Sequence, residues 1–391
     1  GVPRFMGNAG TGSKRAWQLD FRAAAVRRKT GGAGIVLLSA TPAKNSPLEF
    51  YNLIQFIDHD AWTRMGITDP EQFIDRYLAV ELRTVLNTAM QPVDRGAVVG
   101  FTNLHELRDL LFRYAEFRTA DEVGLELPEP KVERVEVDMN RRQEALYERY
   151  TQEIEDALNS DDARDKSAIL GLLARMSIVA IHDRLEGMDW RKAKAAKGIP
   201  ATSPKFAACA RRVLANRHCG HIIFVDNTAA HWWMRQVLID EGIPAERIAV
   251  LNAEVAKTPA DRQAIAEAFN GNPDEDLAPA YDVVIANQVA YEGVDLQTET
   301  CQIHHVDLPY EPATLQQRAG RAVRQGNQRS ELPIKFYIAA RSLDGFRFNL
   351  IQGKLGWMEA LIAGTARATN NPAAQELISI EDLLIELSRN P

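Results

Sequence analysis

Between residues 201 and 340, short apolar runs alternate with amphipathic helical stretches, and this alternation limits the possible architectures more than any other feature of the chain. The runs are His221-Ile222-Ile223-Phe224-Val225, Ile248 to Leu251, Val283-Val284-Ile285-Ala286, Gln302 to Val306 and Ile334 to Ile338. Each is too short for a typical helix and largely lacks the polar alternation of a half-exposed strand, so both faces must be buried. Between them, Lys205 to Leu214, His231 to Ile239 and Pro259 to Phe269 repeat apolar residues at helical spacing. Strands separated by helices are joined by crossovers, which gives an α/β fold with a parallel, doubly wound sheet. Ligands of such sheets gather at the carboxyl ends of the strands.

At 391 residues the chain exceeds one ordinary core. Residues 1–58 read as the tail of a first α/β unit. This part has a helix from about Lys14 to Lys29, a buried parallel strand at Ile35-Val36-Leu37-Leu38, and a helix from Pro47 to Ile57. Residues 59–200 read as a helical insertion and linker. They are helical to Thr119, followed by an exposed-edge strand at Val132, Val135 and Val137, a helix from Asn140 and another after Asp161-Asp162. The basic stretch Trp190 to Lys197 reads as a solvated linker. Residues 201–340 form the second α/β domain, and residues 341–391 are expected to brace it with helices.

No run of about 18 apolar residues occurs, so no membrane-spanning helix and no membrane partner are expected. The three cysteines, Cys209, Cys219 and Cys301, are scattered and odd in number. A disulfide framework is therefore not expected, and a reducing, cytoplasmic setting fits. With a net charge of −7, contact with nucleic acid must come from a local basic groove.

The chemistry concentrates in Gln316 to Gly326, Q-Q-R-A-G-R-A-V-R-Q-G. Arg321 and Arg324 stand one helical turn apart and are expected to share a helix face, with Gly320 allowing close approach beside them. Two fork-shaped cations at that spacing suit a polyphosphate. After the strand at Val283, Glu292, Gly293 and Asp295 form a turn. There Asp295 can orient a nucleotide hydroxyl or a neighbouring arginine. Ser39, Ala40 and Thr41 stand at the end of the first apolar run, again where α/β sheets bind ligands. Gly7 to Lys14 imitates a phosphate loop, but Ser13-Lys14 reverses the required order and no strand precedes it, so it reads as a glycine-rich loop. His218-Cys219-Gly220-His221 lacks a second ligand pair at zinc spacing, so no metal site is expected. His304 and His305 read as structural.

These motifs together carry a resemblance. L-L-S-A-T-P-A-K-N-S resembles motif III of superfamily 2 helicases in its Swi/Snf form. Ile222 to Asp226 resembles motif IV, E-G-V-D-L-Q motif V, and D-L-P-Y-E-P-A-T-L-Q-Q-R-A-G-R-A-V-R-Q-G motif VI. Ser203-Pro204-Lys205 resembles the lead-in to motif IV, and Arg262 with Phe269-Asn270 the element before motif V. The Glu292 to Asp295 turn differs from the Gly-Leu-Asn of chromatin remodellers, and other features resemble phage and mobile-element helicases. The resemblance implies a RecA-like C-terminal lobe preceded by the tail of a first RecA-like lobe.

It also implies roles. Arg321 and Arg324 are ATP-contacting arginines, with Arg324 the finger. Gln317 and Gly320 lie beside them, and Glu292, Gly293 and Asp295 link nucleotide state to the bound strand. Ser39, Ala40 and Thr41 couple the ATP site to the nucleic acid, which Asn45, Lys205, Asn227 and Thr228 contact. The implied partner is nucleic acid, double-stranded DNA first.

The chain has neither the phosphate loop nor the acidic D-E-x-H box of such ATPases. ATP and Mg2+ are thus expected only with a first RecA-like lobe lying upstream in the same polypeptide, and no hydrolysis is expected from this chain alone. Three functions are open at this stage: a duplex-DNA translocase, a strand-separating helicase on DNA or RNA, and a non-hydrolysing scaffold of helicase fold, including one carried in a phage particle.

Overall fold

The computed structural model describes residues 14–38, 48–86, 92–118, 121–160, 163–195, 200–290, 293–309, 312–345 and 347–348. Helix α1 (Lys14–Thr30) leads into an extended segment, residues 33–38. The buried strand expected at Ile35 to Leu38 is not formed. No described strand pairs with it, and Val36 and Leu38 are 80% and 93% exposed. A parallel strand is held by its neighbours' hydrogen bonds, and without them the apolar run faces solvent. Helix α1 likewise buries Ala23 alone and leaves Trp17 and Phe21 outside.

Helices α2 (Leu48–Ile57), α3 (Ala61–Arg64), α4 (Pro70–Tyr77) and α5 (Leu104–Tyr114) close a small core, with β1 (Leu78–Leu86) and β2 (Pro92–Phe101) inserted before α5. Its centre is aromatic. Tyr51 stacks on Trp62 at 5.0 Å, and Phe73 meets Trp62 edge-on at 5.1 Å. Trp62 Nε1 donates to the Tyr51 carbonyl at 2.9 Å, so the indole is buried without losing its hydrogen bond. Asp69 caps α4, and Pro70 fills the first helical position, where a missing N–H costs nothing. The helical reading of residues 59–119 fails at β1 and β2, which pair antiparallel from Leu78↔Phe101 to Leu86↔Pro92. A hairpin ladder overrides the local helical spacing there.

The second α/β unit begins earlier than residue 201. It consists of β3 (Glu129–Val137), α6 (Arg141–Asn159), α7 (Ala163–Ile181), α8 (Trp190–Ala195), α9 (Pro204–Ala215), β4 (Gly220–Phe224), α10 (Thr228–Asp240), β5 (Ile248–Leu251), α11 (Pro259–Asn270), β6 (Val283–Ala286), β7 (Thr300–His305), α12 (Pro312–Ala319) and β8 (Glu331–Ala339). The sheet order is β3-β8-β7-β4-β6-β5, and every pair is parallel. Strand β3 is an edge strand, as its valine alternation implies. It pairs with β8 from Glu129↔Glu331 to Val137↔Ala339 and so belongs to this sheet rather than to the helical insertion. Asn140 and Gln143 form a capping box at the start of α6, and Gln143 Nε2 donates to the Val179 carbonyl of α7 at 2.7 Å.

Successive strand residues enter opposite cores. Ile223, Val283 and Ile285 pack with Phe206 and Trp233, whereas Ile222, Phe224 and Val284 pack with Phe269, Leu315 and Phe336. The continuous apolar runs are thereby accounted for, since each face meets its own layer of helices.

His231 of α10 is fully buried between these layers. Its Nε2–H donates to the Val225 carbonyl at 2.7 Å, and Nδ1 accepts from the Asn252 amide at 3.0 Å. Burial pushes its pKa down to about 4, against the opposing effects of that carbonyl and of Asp307. Between about pH 6.5 and pH 4 the unfolded chain binds a proton that the folded chain lacks, so stability falls as pH falls through this window. His231 alone accounts for about 3 kcal/mol of that loss. His305, lowered by burial and then by Arg318, adds in the same direction. Urea midpoints should drop steadily from pH 7 to pH 4.5; a flat profile would contradict the buried neutral ring.

Candidate nucleotide-binding face

At the carboxyl end of the sheet, β4 continues into Val225-Asp226-Asn227 and β7 into Val306-Asp307-Leu308. Helix α12 lies across these ends and sends Arg318 into them. The Arg318 side chain is fully buried. Its Nη1 lies 3.0 Å from Asp307 Oδ1 and 3.2 Å from His305 Nδ1, and its Nη2 lies 3.1 Å from Asp226 Oδ2. The guanidinium also stands 5.3 Å over the Phe224 ring. Arg318 therefore fastens the arginine-bearing segment to two strand ends. Sequence reasoning passed over it because an arginine inside a basic motif reads as a surface ligand. The available signal was an aspartate directly after each of two buried strands.

The helix stops at Ala319. Arg321 and Arg324 do not share a helix face as expected, because residues 320–326 form consecutive turns. Arg321 N bonds back to the Arg318 carbonyl at 3.2 Å, Ala322 N to Ala319 at 3.0 Å and Asn327 N to Arg324 at 3.2 Å. A Cβ on Gly320 would meet only its own helix, at the Gln316 and Gln317 carbonyls, so its outer side is open.

These turns lock onto the loop after β6. Arg321 Nη1 donates to the Val294 carbonyl at 2.7 Å, its Nε to the Gln317 carbonyl at 3.3 Å, and Leu296 N to the Arg321 carbonyl at 3.3 Å. Arg324 pairs with Asp295. Gly293 has φ +70°, left-handed backbone that favours glycine, and nothing lies within 4 Å of where its Cβ would stand. Asn270, at the end of α11, holds the same loop from below: its amide donates to the Asp295 carbonyl at 2.8 Å and its oxygen accepts from Thr298 N at 3.2 Å. Arg321, Arg324, Gln317, Gly320, Gly293 and Asp295 thus converge. Glu292, Ser39, Ala40, Thr41 and Asn45 lie outside the described residues.

Two expected nucleic-acid ligands are otherwise engaged. Lys205 is buried, ion-paired with Asp344 at 2.6 Å and bonded to the Val306 carbonyl at 3.2 Å, so in this conformation it cannot reach a phosphate. Asn227 caps α10, accepting from Ala229 N and Ala230 N, and Thr228 is the first helical residue. An opening of about 450 Å3 lies beside them, lined by Lys205, Asp226, Asn227, Asp307, Thr314 and Arg347 among others. The cysteines also depart from expectation. Cys219 and Cys301 form a disulfide between the start of β4 and β7, and Cys209 is free and buried. Their closeness follows from the parallel pairing of β4 with β7, across a separation of 82 residues that sequence spacing does not reveal.

The SNF2-related domain model matches residues 25–185, and the helicase conserved C-terminal domain model matches residues 205–326. Defense against restriction protein B of Escherichia phage P1 is 23% identical over an alignment spanning 94% of this chain; the chain spans only 22% of that protein's length. Among solved structures, the Sulfolobus solfataricus SWI2/SNF2 ATPase core in complex with dsDNA is 17% identical, with a TM-score of 0.47 over 72% of this chain and 55% of that one. The C-terminal part of the Fun30 ATPase domain is 15% identical, with a TM-score of 0.46 over 57% and 89%. Along the chain a match to the SNF2-related domain is followed by a match to the helicase conserved C-terminal domain, and the chain is similar to the Swi/Snf-like helicases of superfamily 2.

Proposed function

We propose that this chain is the arginine-bearing portion of an ATP-driven translocase acting on duplex DNA. The reading is carried by the clasp between the 293–296 loop and the 320–326 turns, which presents Arg321 and Arg324 together beyond the ends of the strands. Arg324 acts as the finger and Arg321 as its anchored neighbour, with Gln317 and the open side of Gly320 beside them. The Arg324–Asp295 pair is 41% and 54% exposed, worth about 0–1 kcal/mol, so an incoming phosphate can displace the carboxylate. Release of Asp295 moves the Gly293 loop and so couples nucleotide state to the DNA track, a role that the resemblance extends to Glu292, Ser39, Ala40 and Thr41. By the same resemblance Asn45, Asn227 and Thr228 are assigned to DNA contact.

Mg2+ belongs to the other lobe in this scheme. Asp226 and Asp307 are committed to Arg318, so these two strand-end carboxylates are unsuited to hold the ion. Trp17, Phe21, Val36 and Leu38 are all largely exposed, as apolar residues that the rest of a first RecA-like lobe would cover. The name of the phage relative, which concerns restriction, favours a phage or mobile-element motor that works on DNA.

The test uses the longest natural polypeptide containing this chain. ATP-dependent displacement of a third strand from a DNA triplex, without separation of the underlying duplex, is the expected result. Unwinding of a forked DNA or RNA duplex would favour the helicase reading, and ATP-independent DNA binding alone would favour the scaffold.

A further inference from the structure

The amino ends of the central strands, opposite the arginine face, bring together three donors that the motor chemistry does not use. Cys219 stands immediately before β4, His221 is on β4, and Cys301 is on β7 next to it. One ligand atom from each lies within 4.8 Å of the other two, with His221 Nε2 3.9 Å from Cys301 Sγ. His221 is buried while both cysteines are partly open to solvent. The imidazole is backed by a second layer of hydrogen bonds: Nδ1 lies 3.0 Å from His304 Nε2, and His304 Nδ1 lies 2.9 Å from the Tyr337 hydroxyl. Such outer partners fix the ring orientation and tautomer of metal-binding histidines. The pairing partner for Cys219 and His221 comes from a distant strand, which is why the H-C-G-H stretch looks incomplete in the sequence.

We propose that, with both cysteines reduced, Cys219, His221 and Cys301 hold one Zn2+, and that the Cys219–Cys301 disulfide is the oxidised, metal-free form of the same site. Two thiolates and one imidazole make a soft, three-donor set, with the fourth tetrahedral position left to water. The cysteine Cα atoms are 5.8 Å apart, close enough for a sulfur–sulfur bond. After side-chain rotation the same spacing allows two bonds of about 2.3 Å to a shared zinc. In the disulfide form His221 Nε2–H donates to the Asn216 carbonyl at 2.9 Å. Metal binding moves that proton: Nε2 takes the ion, Nδ1–H donates to His304 Nε2, and His304 Nδ1–H donates to the tyrosine oxygen. Oxidation by a small-molecule disulfide such as oxidised glutathione balances the exchange. The two protein thiolates lose two electrons and form the S–S bond, glutathione disulfide is reduced to two thiolates, and Zn2+ departs.

The experiment is metal analysis of the natural polypeptide. After reduction with a phosphine, equilibration with buffered Zn2+ and gel filtration, about one zinc per chain is expected at this site. Oxidised glutathione should release it and lower the free-thiol count by two. Cys301→Ser and His221→Asn should each abolish the retained zinc, the second while leaving the disulfide able to form. Cobalt loaded in place of zinc should show thiolate charge-transfer absorption that Cys219→Ser removes. Reduced, folded wild-type protein without zinc would overturn the proposal, as would zinc content unchanged by Cys301→Ser. The wild-type measurement decides even if a variant fails to fold.

Discussion

Replacing Arg324 by Ala in a polypeptide that also carries the phosphate loop should lower ATP turnover by about 10³- to 10⁵-fold, the range an arginine finger supplies. The charge on the transferring phosphoryl group develops in the transition state, so the loss should fall on kcat, with little change in KM. Folding should be almost unaffected, because among the described residues the Arg324 side chain pairs with Asp295 alone and both are substantially exposed. Arg324→Lys should recover little, since an ammonium cannot reproduce the planar fork. Steady-state hydrolysis with saturating duplex DNA measures this, and unchanged turnover would remove Arg324 from the nucleotide site.

Arg318 lies only six positions earlier, yet its replacement should act on folding. Arg318→Met keeps most of the side chain's volume but leaves Asp307, a nearly buried carboxylate, without its cation. Breaking a buried pair from one side costs about 3–5 kcal/mol. Asp226 is half-exposed and contributes the smaller share. Arg318→Lys should be nearly as damaging, because one ammonium cannot serve two strand ends and a ring together. Adding Asp307→Asn to Arg318→Met should return part of the loss, the signature of coupling within a shared network. Urea denaturation is the readout, and a loss below about 1 kcal/mol would show that the guanidinium is not the fastener described.

The contrast between these two arginines shows what could and could not be read along the chain. Ile222 to Phe224 and Val283 to Ala286 are continuously apolar because each strand is covered on both faces, a local pattern with a unique explanation. Asn140 with Gln143, and Thr258 with Asp261, announce helix starts because capping is settled within four residues. Most of the failures involve partners outside the local stretch. Strand β3 was legible as a strand, but its place beside β8 depends on residues from 331 onward. The β1–β2 ladder converted a stretch that locally fits a helix. Ile35 to Leu38 has strand-like residues but no described strand to pair with, so it stays exposed. Lys205 and Arg318 look like surface cations until Asp344, Asp226 and Asp307 are brought to them. Arg321 and Arg324 were recognised from their motif, but their setting in turns follows from the helix stopping at Ala319, one residue before Gly320.

The proposal that Arg324 meets nucleotide charge as it develops is tested most directly by a transition-state mimic. Affinities of ADP and of ADP–aluminium fluoride should be measured with Mg2+ and duplex DNA on the natural polypeptide and its Arg324→Ala variant. A loss of affinity of at least about 10³-fold is expected for the aluminium fluoride complex, with ADP weakened by less than about tenfold. Equal affinities for the mimic in the two proteins, or equal losses for both ligands, would contradict it.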